Sequence, residues 1–240
     1  MIFYVCVLLC GCVQVLQASA FDEANKLYYE GKFSDAAAAY EKLIHSGTAT
    51  PALYFNLGNA RFKSGEIGRA ISAYKQAERY TPRDPDLRAN LQFARNQTQG
   101  PSLKLNPAER SLTRLTLNEW TLLASGSLWV LLLLLSVWQW RPAWNRTLRG
   151  FLSLWVFVSV ALCGCFVAAL YQDISNQNGV VVAAQAVVRN GPLEESKNAF
   201  TLQDGSEVRV LDRKDDWVLI TTDPQRTGWL RKDHVLLGAN

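Results

Sequence analysis

The sequence predicts a multidomain membrane protein in three parts: an all-α array of helical repeats, a two-helix transmembrane hairpin and a small all-β barrel. Three observations predict it. The windows 1–21, 120–140 and 150–172 contain no Asp, Glu, Lys or Arg. Residues 21–84 repeat with a period of 34. From Gly179 onward the apolar pattern changes from a helical period to a period of 2. A soluble domain scatters its charges over all its elements. This chain confines them, which argues for export and membrane insertion.

The charge balance narrows the function classes. The 240 residues carry 25 Lys and Arg against 21 Asp and Glu, a formal charge of +4. The segment 21–100 holds eleven basic and nine acidic residues, and 173–240 holds eight and ten. The stretch 141–149 holds three Arg and no acid. The surplus is one short loop and not a broad patch, so nucleic-acid binding lacks electrostatic support. All five cysteines (Cys6, Cys10, Cys12, Cys163 and Cys165) lie in apolar windows. That pattern gives no disulfide framework and no metal-ligand spacing. Cys163-Gly-Cys165 reads as small residues that let helices approach closely.

Residues 1–20 read as a signal peptide. The run Ile2 to Leu16 is apolar apart from Gln14, and Ala18-Ser19-Ala20 offers the small residues of a cleavage site after Ala20. Lipidation is one alternative, since Leu9-Cys10-Gly11-Cys12 loosely resembles a lipobox; an uncleaved anchor is another. The spans are expected at 120–140 and 151–171. About 20 residues rising 1.5 Å each cover the roughly 30 Å hydrocarbon core, and Trp120, Trp138, Trp140 and Tyr171 suit its interfaces. The segment 141–150 reads as the turn between them. Its Arg141, Arg146 and Arg149 put it in the cytoplasm by the positive-inside rule. The soluble regions 21–98 and 179–240 then share the opposite side of the membrane. Between them and the first span, 99–119 is a juxtamembrane linker. There Asn106 and Pro107 start a short helix with Ala108, Leu112 and Leu115 on one face, lying along the membrane surface.

In the repeat, Tyr28 answers to Phe62, Gly31 to Gly65, Ala36 to Ala70, Tyr40 to Tyr74 and Leu43 to Ala77. Gly65 breaks the chain between two helices, Ala70 lets them approach, and Tyr74 and Phe62 fill the seam. Pro82 ends the second helix. The run from Tyr54 through Leu57, Gly58 and Phe62 to Gly65, Ala70, Tyr74, Ala77 and Pro82 resembles the tetratricopeptide repeat. Arg61 occupies the slot where that family usually has tyrosine. A partial third unit, Asp86 to Gln97, is expected to close the array. The resemblance implies a concave face for partner peptides or helices, with Asn56, Asn59 and Arg61 as its candidate groove residues. Solvated helix positions, or a groove that takes a second copy of the chain, are the plainer readings of those residues.

In the tail, five β-like runs (Val180–Val182, Ala186–Val188, Val208–Val210, Trp217–Ile220 and Gly228–Leu230) are separated by Asn190-Gly191-Pro192, Asp204-Gly205, 212–216 and Asp223-Pro224, all turn compositions. Five short strands in about 60 residues suggest a small closed barrel, which removes sticky edges. Val188-Arg189-Asn-Gly-Pro192, then Leu202, Gly205, Val208, Val210, Trp217-Val218 and Gly228-Trp229, resemble the bacterial SH3-like domain. Members often bind cell-wall peptides or proteins, which makes Arg189, Trp217 and Trp229 candidate binding residues. Barrel packing is the plainer reading of the two tryptophans.

His45 and His234 are the two histidines, and neither has a nucleophile or carboxylate at a catalytic spacing. No phosphate loop occurs, so neither an enzyme nor a cofactor is expected. The order of signal peptide, two repeats, hairpin and SH3-like tail resembles the BatE-type family of the bacterial aerotolerance operon. That resemblance implies membrane proteins with von Willebrand A domains, and a MoxR-type ATPase, as partners. Peptidoglycan is the partner under the cell-wall reading.

Overall fold

A computed structural model describes residues 19–98, 100–103, 106–140, 145–175, 177–223 and 226–238. The expected signal peptide lies outside the described residues except for Ser19 and Ala20, as do residues 141–144 of the Arg loop and the Pro224 turn. The chain forms two compact units. One joins the residues up to Leu103 to those from Gln177; the other is 104–176.

The first unit opens with helix α1 over 19–29. It continues with α2 (Phe33–His45), α3 (Pro51–Lys63), α4 (Ile67–Tyr80) and α5 (Pro85–Gln97). Side-chain caps explain two of these starts. Thr50 accepts a hydrogen bond from the Leu53 N–H at 3.2 Å, with Pro51 in the first turn. Asp84 accepts from the N–H groups of Asp86 and Leu87 at 2.9 and 3.1 Å, again followed by proline. Such a side chain satisfies amides that have no partner inside the helix. Helices α2 and α4 start without one: their N-cap residues, Lys32 and Glu66, make no side-chain cap. Gly31 and Gly65, one period apart, turn the chain with φ of 78° and 84°, where a Cβ is strained.

The repeat recurs in side-chain chemistry as well as spacing. The Tyr40 hydroxyl donates to Asn25 Oδ1 at 2.7 Å, and Asn56 Nδ2 donates to the same oxygen at 3.3 Å. Thirty-four residues later, Tyr74 donates to Asn59 Oδ1 at 2.8 Å and Asn90 Nδ2 joins it at 3.0 Å. Each set ties one helix pair internally and links it to the next, so α1, α3 and α5 form one face. Burial raises both tyrosine hydroxyls, Tyr40 to about 12 and Tyr74 further. Both therefore stay protonated donors.

Two apolar clusters follow the repeats, one around Tyr40, Leu53 and Leu57 and one around Ile71, Tyr74, Leu87 and Leu91. Val180 of the C-terminal sheet belongs to the second cluster. That sheet has seven antiparallel strands: β1 (Asn178–Val181), β2 (Gln185–Arg189), β3 (Asn198–Gln203), β4 (Glu207–Lys214), β5 (Trp217–Asp223), β6 (Arg226–Arg231) and β7 (Val235–Leu237). Their order is β3-β2-β6-β5-β4-β1-β7. Five of them coincide with the five expected runs; β3 and β7 are additional. β3 carries only Phe200 and Leu202 as large apolar residues, and β7 is three residues long, so neither gives a clear period. Register shifts at Val188/Arg189, Val210/Asp212 and Thr221/Asp223 bend the strands around a core that includes Val188, Val208, Val218 and Ile220. Two residues of the first unit, one on each side of the 104–176 segment in sequence, bond to β4. The Pro101 carbonyl accepts from the Glu207 N–H at 2.9 Å, and the Gln177 carbonyl accepts from the Val210 N–H at 2.8 Å.

The second unit holds α6 (Pro107–Leu112), α7 (Leu117–Trp140) and α8 (Asn145–Ser175). The Asn106 N–H donates to Glu109 at 3.0 Å at the start of α6. The helix ends before Leu115, so of the three residues expected on one face it carries Ala108 and Leu112. A reciprocal pair starts α7: the Thr116 N–H donates to Glu119 at 2.9 Å, and the Glu119 N–H donates to Thr116 Oγ1 at 3.2 Å. α7 and the 149–175 part of α8 are long and apolar enough to cross a membrane. The expected turn 141–150 is helical from Asn145, because nothing between Asn145 and Gly150 breaks a helix. The charge-free window marks the apolar length, which is shorter than the helix. One carbonyl pins the hairpin's register, since the Ser127 oxygen accepts from Trp155 Nε1 at 2.9 Å and from Ser159 Oγ at 3.3 Å.

Gly58 sets the spacing of α3 and α4. A Cβ there would stand 2.5 Å from the Tyr74 ring. Gly58→Ala is expected to destabilise the repeats by about 1–3 kcal/mol through overpacking, read as a lowered denaturant midpoint of the helical signal with an unchanged slope.

Candidate functional site

The three groove residues expected from sequence are all engaged within the fold. Asn56 and Asn59 are half-buried and form the links between consecutive repeats described above. Arg61 donates to Glu66 at 2.7 and 2.8 Å and pairs with Glu41 at 2.7 Å, joining α2, α3 and the start of α4. Burial alone would lower its pKa, but the two carboxylates outweigh that and raise it. The family's tyrosine slot thus holds a cation that ties the first repeat to the second. The signature residues sit where packing needs them: Leu57, Gly58, Ala70, Tyr74 and Ala77 are buried, and Phe62 and Pro82 are partly so. Beside the Asn links, Phe62 packs on Phe93 with ring centroids 5.4 Å apart, and Phe93 remains 54% exposed. This aromatic pair gives the α3–α5 face open apolar surface.

On the sheet, Arg189 donates to the Ser196 carbonyl at 3.0 Å and to Asn198 at 3.3 Å, which pins the β2–β3 loop. Trp217 is buried at the start of β5. Trp229 is only half-buried and stands opposite Arg189 in the β2–β6 register. Of the three, Trp229 keeps partly open aromatic surface. Among the described residues no group of three or more His, Cys, Asp and Glu lies close enough to hold a metal. His234 Nδ1 is buried without a hydrogen-bond partner.

The densest polar chemistry lies where the repeats meet the sheet, on residues the sequence did not single out. Glu207, at the start of β4, is 1% exposed. Its carboxylate accepts from Arg95 Nε at 2.6 Å and Nη2 at 3.2 Å on α5, and from Lys75 Nζ at 3.1 Å on α4. Burial by itself would raise its pKa; Lys75 and Arg95 outweigh burial and hold it below the ordinary value of 4.5. Glu78, on α4 in the same field, has its pKa raised, chiefly by burial and against the pull of Arg95 and Lys75. The neighbouring turn supplies the cap that α4 lacks: Asp204 Oδ2 accepts from the Gly68 N–H at 3.0 Å. Burial raises the Asp204 pKa, partly offset by the N–H groups of Gly68 and Gly205. The Thr98 hydroxyl donates to the Asp204 carbonyl at 2.7 Å and closes the joint.

One sign pointed toward this joint. Helices α3 and α5 begin with Thr-Pro and Asp-Pro, whereas α4 begins with Gly65-Glu66-Ile67-Gly68 and no strong capping residue. A helix without its own cap is a place for another element to supply one.

Comparison with known families gives two matches. Residues 21–90 match the tetratricopeptide repeat model. Residues 184–235 match the bacterial SH3 domain model. The chain therefore carries a tetratricopeptide repeat region, two apolar helices and a C-terminal bacterial SH3 domain. Both matched domains are of kinds that typically bind partners rather than catalyse.

The joint makes two predictions. Removing both cations (Lys75→Ala with Arg95→Ala) strands a buried carboxylate and should cost about 3–5 kcal/mol. Glu207→Ala should cost less, because Lys75 and Arg95 are 21% and 25% exposed and turn to solvent; paired urea titrations give the comparison. The second concerns pH. Glu207 has a depressed value in the folded chain, so its contribution is present above 4.5 and is lost as pH falls through the folded value. Glu78 and Asp204, with raised values, act with the opposite sign. The stability difference between wild type and Glu207→Gln should therefore shrink as pH is lowered from 4.5 through the folded value, read from unfolding midpoints across that range.

Proposed function

We propose that this chain is a non-enzymatic membrane scaffold that gathers partner proteins on the outer face of a bacterial inner membrane, in a Bat-type complex with von Willebrand A-domain membrane proteins. The observation that carries the reading is the fusion of two binding-type domains into one unit, interrupted by two apolar helices. An even number of crossings returns the chain to the side it left, as a shared unit requires. The Arg-rich turn supports a cytoplasmic bend, hence periplasmic binding domains behind a cleaved leader. Within the scaffold, the open aromatic pair Phe62 and Phe93 offers a partner helix or peptide its apolar anchor.

The partly open Trp229 and the bacterial SH3 match favour a second reading, a membrane anchor that grips peptidoglycan.

Cross-linking of the tagged full-length chain in membranes, followed by mass spectrometry, tests the first reading. A-domain membrane proteins should be recovered, with yield falling at least roughly tenfold in Phe93→Ala, the loss of about 1.4 kcal/mol of anchoring. Recovery of the chain alone would count against the scaffold. Retention on purified sacculi that disappears in Trp229→Ala would favour the wall anchor. Both assays need the full chain, because the sheet shares its joint with the repeats.

A further inference from the structure

The repeat array stops half-way through a unit. α5 is the opening helix of a third repeat, and among the described residues the next helix in the chain, α6, belongs to the second unit and not to the array. In a stacked array each unit buries its apolar side against the next, and the last unit needs a polar-backed cap. Here α4 and α5 would present Ile71, Leu87 and Leu91 with nothing further along the array to cover them.

What covers them comes from the far end of the chain. Val180 of β1 inserts into that same cluster. Asp204 caps the start of α4, and Glu207 takes the two cations that α4 and α5 turn toward it. The backbone joins in, since the Glu207 N–H donates to the Pro101 carbonyl just beyond α5. Apolar cover, helix cap, ion set and backbone bond therefore all fall on the one face an unfinished array leaves open.

α5 matters for more than closure. On one side Asn90 ties it to Asn59, on the other Arg95 ties it to Glu207, and between them it displays Phe93. Its place in the α1–α3–α5 face depends on both ties.

We propose that the bacterial SH3 domain is the closing cap of the repeats in cis, and that the α5 part of the repeat face is formed only when that cap is docked. The order of the chain turns this into a gate. The cap lies beyond the 73-residue second unit, after both apolar helices. A chain whose sheet has not reached the side of the repeats then has an unfinished third repeat and an undeveloped partner face. Partner capture by the repeats is thereby made conditional on completed insertion.

Hydrogen exchange of the full-length chain in lipid nanodiscs tests this with two variants that disrupt the joint through different strands. Glu207→Lys places a third cation beside Lys75 and Arg95, and Val180→Asp puts a carboxylate into the apolar cluster. The expected result in both is faster exchange of amides in 70–94 by roughly a hundredfold, as for loss of a buried charge partner, with 36–43 of the first repeat near wild-type rates. Peptides over 218–230 show whether the sheet itself survives. Acceleration of 70–94 supports the cap whether the sheet is undocked or unfolded, since either removes the cover. Wild-type protection of 70–94 in both variants would overturn the proposal, because the repeats would then close without the sheet.

Discussion

A single buried carboxylate organises the unit that the repeats form with the sheet. Glu207 has almost no access to water and would be costly to ionise there on its own. Two cations from two different helices make its burial tolerable, and they fix where the sheet sits against the repeats. An apolar contact such as that of Val180 is non-directional and would accept some sliding. The Arg95 contact through two nitrogens would not, because a guanidinium fork meets a carboxylate in few geometries. Apolar burial supplies adhesion and the ion set supplies register.

The repeats use the same division of labour on a smaller scale. Aromatic and alanine packing holds each helix pair together, while Asn25 and Asn59 each accept from a tyrosine within their own unit and from an asparagine of the next. One oxygen serving two donors converts a local bond into a link between units. This explains why residues that look like groove residues by position serve the array first. Arg61 makes the point again, since a cation held by Glu41 and Glu66 has little freedom to meet a ligand.

Most of the architecture was legible in the sequence because it rests on local pattern. A 34-residue period, charge-free windows and alternating short runs each report a neighbourhood of a few residues, and they placed the repeats, the apolar helices and five of seven strands. The joint was not legible. Lys75 and Arg95 look like solvated faces of their helices, Asp204 looks like an ordinary turn residue, and Glu207 opens a strand as many polar residues do. Their meaning comes from pairing across 112 and 132 positions, which no local period records. The same holds for the site: position on a repeat suggested Asn56, Asn59 and Arg61, but what each touches is set by the neighbouring repeat. Helix α8 shows a different limit, because charge marks where apolar character ends and not where a helix does.

The two carbonyls that flank the 104–176 segment have a practical corollary. Pro101 and Gln177 bond to Glu207 and Val210, residues three apart on one strand, which at about 3.3 Å per residue separates the two attachment points by roughly 10 Å along β4. A span that short is within reach of a few linker residues. The apolar helices are thus spliced into the first unit at what amounts to a single strand end, and the packing of that unit does not run through them. Excising them in favour of a short polar bridge is the natural route to a water-soluble form that retains both domains and their joint.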